Sequence, residues 1–269
     1  MSWSVIARKE FRDASRSRTL WILTALFVLI TAGAAYVVGF ALSSSPGAEA
    51  TGTTLVSALT GRASFLLTSF VPILGLMASY VSVVGERDSG SMKLLLGLPQ
   101  SRRDVVVGKF VGRSAVLAVA LLVGFFAGFV VMLSYEELSV LNYAVFVLLT
   151  TALGTVYVSV GVGVSATVAS RSRAAASVVG FYIFLKVLWD TFPSVVPRGI
   201  VYATTGSLSP PDWYGFLTAL SPNVAYTNLA AGFLERGIGS LEAFSAIVIA
   251  VWIAVPVALG YLRFRRVDV

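Results

Sequence analysis

Long apolar runs alternate with short polar segments along almost the whole chain. A helix needs about 20 consecutive apolar residues to cross the hydrocarbon core of a bilayer, and six runs have about this length. The pattern therefore predicts an all-α integral membrane protein with six transmembrane helices, at residues 20–42, 63–84, 114–133, 143–168, 174–192 and 244–262.

The first 19 residues have a different pattern, in which apolar and basic side chains recur at helical spacing. The apolar residues fall on one side of a helix and the basic residues on the other. Such a helix lies in the membrane interface with its basic side toward anionic headgroups. We expect an interfacial elbow helix at residues 1–19, with Trp3, Ile6, Ala7, Phe11 and Ala14 on its apolar side and Arg8, Lys9, Arg12 and Arg16 on its basic side.

Residues 85–113 form the only long, highly charged interruption between two apolar runs. A short amphipathic helix is expected before Pro99, since proline ends it. A second helix is expected after Ser101, because Ser101 and Asp104 have the spacing of a capping box. Leu94 and Leu95 would then lie at the membrane surface, either against a protein partner or dipped into the headgroups.

Residues 193–243 form the longest segment outside the predicted spans. Five prolines forbid one continuous helix, and the apolar content argues against disorder. We expect an extracytoplasmic loop of short helices packed on the membrane surface. One of them should begin after Ser221 and Pro222, because serine favours the cap position and proline the first helical position.

Lysine and arginine are distributed unequally between the two sides of the predicted membrane. With six spans, sixteen of the twenty lie on the side of the two termini, three lie on the other side, and Lys186 lies inside a span. Basic residues favour the cytoplasmic side, so both termini are expected in the cytoplasm and the protein in the plasma membrane. Because the net charge of +7 is sorted by membrane side, it does not indicate a nucleic-acid partner.

Residue types for catalysis and metal binding are scarce. The chain has no cysteine and no histidine, which removes the commonest metal ligands and the commonest general base. It has no GxxxxGKS or GxxxxGKT sequence to bind nucleotide phosphates and no GxSxG sequence around a serine nucleophile. We therefore expect no catalytic site, no metal site and no cofactor in this chain.

Two features lie inside the predicted spans. Lys186 and Asp190 are four residues apart near the outer end of the fifth span. They form either a functional intramembrane charge pair or a brace in which Lys186 extends toward the interface. Small residues that permit close helix contact occur on the third and fourth spans: Gly124, Gly128, Gly161 and Gly163.

Three pieces of the sequence resemble the membrane subunit, or permease, of ABC transporters of the ABC-2 type. These pieces are IARKEFRDASRSRTLWIL, GERDSGSMKLLLGLPQSRRDVVVGKF and LSPNVAYTNLAAGF. The first and third also resemble the NosY-like branch, the permeases associated with copper-enzyme maturation, although no motif here binds copper.

The resemblance implies a separate ABC ATPase subunit, which would bind ATP and Mg²⁺ and dock on the first cytosolic loop, residues 85–113. A short coupling helix in this loop would make the main contact, and the turn between the fourth and fifth spans a smaller one. The matching positions are Glu86, Gly90, Leu94, Leu95, Pro99, Ser101, Arg102 and Lys109 in the loop and Arg171 and Arg173 in the turn.

Together these observations give one hypothesis of function. The chain is expected to be the permease of an ATP-driven exporter, in which two copies, or this chain and a related permease, pair through faces that contain the four glycines and rock when the ATPase closes. A secondary transporter is an alternative because Lys186 and Asp190 could serve as its ion site. A non-transporting membrane scaffold or sensor is another, since it would also carry exposed leucines.

Overall fold

The structure, a computed structural model, describes residues 3–44, 64–92, 101–135, 139–189, 199–200, 202–203, 211 and 213–266. Within these ranges every regular element is helical, which confirms the predicted all-α class. The helices are α1 (Trp3–Ser15), α2 (Arg18–Ser43), α3 (Ser64–Ser79), α4 (Val84–Asp88), α5 (Arg102–Met132), α6 (Val140–Thr167), α7 (Arg171–Ile183), α8 (Tyr214–Thr218), α9 (Pro222–Ala231) and α10 (Ser240–Phe264), with π-helical turns at Phe184–Trp189 and Gly232–Arg236.

Five stretches of the described chain are helical, long and apolar enough to cross a membrane. They correspond to the first, second, third, fourth and sixth predicted spans. The predicted fifth span, 174–192, matches α7 and the π-helical turn after it, and its last three residues lie outside the described ranges. It therefore stays a prediction, whereas the other five spans are found at Arg18–Ala41, Leu66–Asp88, Arg102–Met132, Val140–Thr167 and Ser240–Phe264.

Helix α6 lies at the centre of the bundle. It contacts α3, α5, α9 and α10, and its residues Leu153, Val156, Tyr157, Val158 and Val162 are fully buried. A helix that is apolar on all sides favours this position, because none of its sides has to face water.

Helix α5 is one continuous helix of 31 residues that begins well before its apolar part. Ser101 Oγ accepts a hydrogen bond from the N–H of Asp104, and the Asp104 carboxylate accepts one from the N–H of Ser101, so the predicted capping box is confirmed. At 1.5 Å per residue the helix is about 46 Å long, whereas the hydrocarbon core of a bilayer is about 30 Å thick. Its first turns therefore extend beyond the membrane.

Helix α9 begins where it was predicted, with Ser221 before its first residue and Pro222 in the first position. Its location differs from the expectation for residues 193–243, because it packs along α6 and α10 and not on their ends. Tyr226 Oη lies 2.9 Å from Thr150 Oγ1 in the middle part of α6. Segment 222–231 is therefore part of the helix bundle.

The first turn of α9 lies deeper in the bundle than the rest of this helix. The Tyr157 hydroxyl donates a hydrogen bond to Asn223 Oδ1 at 3.0 Å, and both side chains are buried. Tyr157 follows Val140, the first residue of α6, by 17 positions, which corresponds to about 26 Å along the helix axis. Hydrogen bonds such as this one satisfy polar groups that a lipid or protein interior would otherwise leave unpaired.

Gly124 and Gly128, the two glycines of the third predicted span, pack against other helices of the same chain. A Cβ atom at Gly124 would clash with the Phe27 ring of α2, and one at Gly128 would lie 3.3 Å from Tyr143 Oη of α6. Both glycines are buried. Their small size is used within the chain, which differs from the expectation that they face a second copy.

Gly161 and Gly163, the two glycines predicted for helix contacts on α6, are also buried within the bundle. A Cβ atom at Gly161 would clash with the Ser79 side chain at the end of α3, and one at Gly163 would clash with the carbonyl group of Pro256 on α10. The structure therefore places all four glycines in contacts inside one chain, and none on an exposed face that a partner could reach.

Replacing Gly163 by alanine should destabilise the protein, because the added methyl group meets the backbone of Pro256, which cannot rotate aside as a side chain can. Overpacking of this kind costs about 1–3 kcal/mol, so the midpoint of thermal unfolding in detergent should fall by several degrees. Gly33→Ala on α2 is the matched control, since no other atom lies within 4 Å of its added group. Alanine is also the better helix former there. Equal midpoints for the two variants would contradict the close packing of α6 on α10.

Candidate functional site

Helix α1 packs closely against the first part of α5. Two glycines of α5 make this approach possible. A Cβ atom at Gly108 would lie 2.7 Å from Ile6 Cβ, and one at Gly112 would lie 2.7 Å from Glu10 Cβ. Because any larger residue at either position would push the helices apart, the contact depends on glycine at both.

The buried side of α1 differs from the apolar side that its sequence predicts. Ile6 and Ala14, from the predicted apolar side, are buried, and Glu10 lies between them on the same side and is also buried. Trp3 and Phe11 are exposed. Helix α1 therefore presents an acidic residue to α5.

Charged side chains from three helices meet at this contact. Lys109 Nζ lies 2.6 Å from Glu10 Oε1 and 2.9 Å from Glu86 Oε2. Arg113 Nη2 lies 2.8 Å from Glu10 Oε2, and Lys9 Nζ lies 3.0 Å from Glu86 Oε1. We call these five residues of α1, α4 and α5 the ion-pair cluster.

The centre of the ion-pair cluster is almost free of solvent contact, since the side chains of Lys109 and Glu10 are 1% and 3% exposed. A buried charge is costly unless it is paired, and here each charge has neighbours of opposite sign. Burial would raise the pKa of the Glu10 carboxyl, but the charges of Lys109 and Arg113 outweigh burial and lower it overall. For Lys9, burial would lower the pKa, but the hydrogen bond with Glu86 and the nearby carboxylates outweigh burial and raise the pKa overall. Glu10 and Lys9 are therefore both charged at neutral pH.

Arg113 extends the ion-pair cluster to a fourth helix. Its Nη1 atom donates a hydrogen bond to the carbonyl oxygen of Ala78 on α3, at 3.2 Å. The cluster thus connects α1 with the ends of two membrane-spanning stretches, Leu66–Asp88 and Arg102–Met132.

The two polar turns that were predicted to contact an ATPase lie side by side. Arg171 Nη2 donates to the carbonyl oxygen of Gly85 at 3.1 Å, and Arg171 Nε lies 3.4 Å from Asp88 Oδ2. In the opposite direction, Arg87 Nη1 donates to the carbonyl oxygen of Val168 at 3.1 Å. The turn between α6 and α7 is therefore bonded to α4.

Ser165 reinforces this junction from inside the bundle. Its Oγ atom accepts hydrogen bonds from the backbone N–H groups of Val83 and Val84, both at 3.0 Å. The first N–H groups of a helix have no partner within the helix. A serine of α6 thus supplies the acceptor that the start of α4 needs.

Arg102 connects the start of α5 with the end of the last helix. Its Nη1 atom donates to the carbonyl oxygens of Phe264 at 2.8 Å and Arg265 at 3.2 Å, and its guanidinium group lies 5.5 Å from the centre of the Phe264 ring. The last carbonyls of a helix carry partial negative charge, so a cation is favoured there.

Some of the other predicted coupling positions lie within the described residues and some lie outside them. Gly90 has a φ of 74°, which favours glycine, and the exposed Arg173 bonds through its N–H to Ser170 Oγ. Leu94, Leu95 and Pro99 lie outside the described residues, so their contact with an ATPase stays a prediction. Glu86 pairs with Lys109, and Arg171 binds the helix that carries Glu86. Arg102 binds the end of α10, and Ser101 caps α5.

The predicted intramembrane pair is described in part. Lys186 lies in the π-helical turn after α7, and its Nζ atom donates to Thr68 Oγ1 on α3 at 3.2 Å. Asp190 lies outside the described residues. The hydrogen bond shows that Lys186 reaches a neighbouring helix.

Several residues of the site were missed in the sequence. Glu10 stands among basic residues and was not placed on either side of the predicted elbow helix. Gly108 and Gly112 have the same GxxxG spacing as Gly124 and Gly128, but they precede the apolar run where helix contacts were expected. Ser165 carries no signal in the sequence, because its role depends on where α4 begins.

Known proteins resemble this chain along nearly all of its length. The model of the family described as ABC-2 family transporter protein matches residues 4–269. A protein of Stutzerimonas stutzeri described as probable ABC transporter permease protein NosY is 31% identical over 278 aligned residues, which cover 97% of each chain. A protein of Pseudomonas aeruginosa strain PAO1 with the same description is 29% identical, again with 97% of each chain covered.

The chain therefore belongs to the ABC-2 family of transporter proteins. It is a multi-pass membrane subunit of an ABC transporter, and membership of this family implies a partner ATPase subunit. The resemblance found in the three sequence pieces is confirmed, including the similarity to permeases named NosY.

Replacing Lys109 by methionine should destabilise the docking of α1, because Glu86 and Glu10 each lose a buried counter-charge. We expect a loss of about 3 kcal/mol, the lower end for a broken buried ion pair, since Arg113 still neutralises Glu10. Lys9→Met is the matched control: Lys9 pairs with the same Glu86, but its side chain is 50% exposed, so the loss should stay below about 1 kcal/mol. Unfolding midpoints measured in detergent compare the two. A control variant as unstable as Lys109→Met would show that burial of the pair is unimportant.

Proposed function

We propose that this chain is the permease subunit of an ATP-driven exporter and that its separate ATPase docks at the end of the bundle that carries the ion-pair cluster. The docking surface comprises the loop between α4 and α5, with its predicted coupling helix, and the turn at Arg171 and Arg173. Because the sequence has no phosphate-binding loop, ATP and Mg²⁺ are bound by the ATPase and not by this chain.

One observation carries this proposal: both flanks of the predicted docking loop are fixed to several helices. On one flank, α4 is bonded to Ser165 and to the turn around Arg171. On the other, α5 begins at the Ser101 cap and is held by Lys109 to α1 and by Arg102 to the end of α10. Force applied to residues 93–100 would therefore move α3, α5, α6 and α10 together.

We propose six spans with both termini in the cytoplasm. The distribution of basic residues supports this orientation, because it places sixteen lysines and arginines on the side of the termini. Under this orientation α1 is the elbow helix at the cytoplasmic surface. The ion-pair cluster then lies on the side of the membrane where an ATPase can reach it.

A second copy of this chain, or a related permease, completes the transport path in our proposal. Because Gly124, Gly128, Gly161 and Gly163 are buried within one chain, they do not provide the contact with this second subunit. Helix α2, however, exposes large apolar side chains, among them Trp21, Ile22 and Leu29, each more than 60% exposed. Such a surface is suited to lipid or to another membrane helix. Export is favoured over import because the sequence shows no docking segment for a binding protein.

Changing Leu94 and Leu95 together to aspartate should abolish co-purification with the ATPase, because two charges replace the apolar side chains that we expect in the contact. The partner ABC ATPase is co-expressed with the tagged permease, and the amount of ATPase that co-purifies is measured. Ile238→Asp is the control, since Ile238 is exposed in the turn before α10, on the proposed outer side. Full recovery of the ATPase with the leucine variant, at normal permease yield, would overturn the proposed docking site.

Single cysteines test the orientation, and the chain has no native cysteine that would give a background signal. A cysteine at Gly206, in the proposed extracytoplasmic segment, should react with a membrane-impermeant maleimide in intact cells. A cysteine at the exposed Arg103, near the start of α5, should react only after the cells are opened. The reverse pattern would place the ion-pair cluster outside and refute the proposed docking of an ATPase.

A further inference from the structure

A cavity of about 200 Å³ lies where the end of α1, the start of α2, α3 and α5 meet. We call it the corner cavity. Its inner wall is formed by apolar side chains that are at least 95% buried: Leu74, Val116, Leu117 and Ala120. Its outer part is polar and includes Ser17, Thr19, Tyr80 and Arg113.

The size and the wall of the corner cavity indicate an apolar occupant. Protein interiors are close-packed, and voids much larger than a water molecule are rare. The volume would hold about seven waters at roughly 30 Å³ each, but waters need two to four polar partners, which the inner wall does not offer. A hydrocarbon chain would fill such a space without losing hydrogen bonds.

Basic residues adjoin the outer part of the corner cavity. Arg16 and Arg18 flank the lining residues Ser17 and Thr19, and both are exposed. Among the described residues neither they nor Arg12 forms an ion pair. Asp13 is the one acidic residue between Arg12 and Arg18, so this corner of the chain keeps a net charge of about +2.

We propose that the corner cavity binds one anionic phospholipid, with an acyl chain against the apolar inner wall and the phosphate group at Arg16, Arg18 and the polar outer part. Charge complementarity selects the headgroup, since a juxtamembrane basic segment attracts anionic lipids. The arrangement of an apolar pocket below a basic rim matches the shape of a phospholipid and of no soluble anion.

The proposed lipid also touches the ion-pair cluster. Arg113 lines the corner cavity and donates hydrogen bonds to Glu10 and to the Ala78 carbonyl. A lipid in the cavity would pack against the helices that these bonds join, so its binding should stabilise the docking of α1 on α5 and α3. This inference does not require the exporter function or the docking of an ATPase.

Native mass spectrometry of the purified full chain tests the proposal with dioleoyl phosphatidylglycerol as the probe. The wild type should retain one phosphatidylglycerol molecule at concentrations where dioleoyl phosphatidylcholine is lost. The double variant Arg16→Ser with Arg18→Ser should bind it about thirty-fold more weakly, as expected for the loss of two basic residues near the membrane surface. Arg263→Ser with Arg266→Ser is the matched control, because it removes the same charge from exposed positions at the end of the last helix, and it should bind like the wild type.

Three results would overturn the proposal. Equal retention of phosphatidylglycerol and phosphatidylcholine would show that the lipid's charge does not determine binding. Equally weakened binding in the control variant would show that only the net charge of the protein matters, and not the position of Arg16 and Arg18. Competition by glycerol phosphate, which has the anionic group but no chain, would show that a free phosphate is the ligand.

A variant that fills the cavity tests the acyl chain separately. Ala120→Phe places a ring in the inner wall and should abolish retention of phosphatidylglycerol while the arginines are unchanged. If a folded Ala120→Phe variant still retained phosphatidylglycerol, the acyl chain could not lie in the corner cavity. If this variant does not fold, the two arginine variants decide, since their substitutions lie on exposed residues.

Discussion

The contact between Lys109 and Glu10, 2.6 Å apart and nearly without solvent, holds the first helix of the chain on its longest helix. Neither charge could be buried alone, because the cost of removing an unpaired ion from water is several kcal/mol. Lys109 and Glu10 therefore require each other, and their contact requires Gly108 and Gly112, which let α1 and α5 approach closely. Two further members of the ion-pair cluster bind to these side chains: Glu86 contacts Lys109, and Arg113 contacts Glu10.

Much of the fold could be predicted from periodicity and composition. Five predicted spans correspond to helices of sufficient length and apolar character, and the caps at Ser101 and Ser221 begin helices where their spacing indicates. These features depend on local sequence, so one sequence is enough to find them. The positions of the polar turns could also be predicted, but not the fact that Arg171 would bind to Gly85 and Asp88.

The features that could not be predicted arise from contacts between distant parts of the chain. Amphipathic spacing placed Trp3 and Phe11 on the apolar side of α1 but did not show that the side of Glu10 would pack on α5, where Lys109 is its counter-charge. The glycines illustrate the same limit: their spacing indicates a close contact but not its partner. Helix α9 lies within the bundle because Tyr157 and Thr150 of α6 offer hydrogen bonds that no local pattern reveals.

The uninterrupted length of α5 has a mechanical consequence. A straight helix of about 46 Å behaves as a lever, so tilting it by about 5° about one end displaces the other by about 4 Å. One end of this lever carries the ion-pair cluster, and the other reaches Met132, which is buried beside Tyr143 at the far side of the bundle. A small tilt of α5 at one membrane surface therefore displaces its other end, at the opposite surface, by about the diameter of a methyl group.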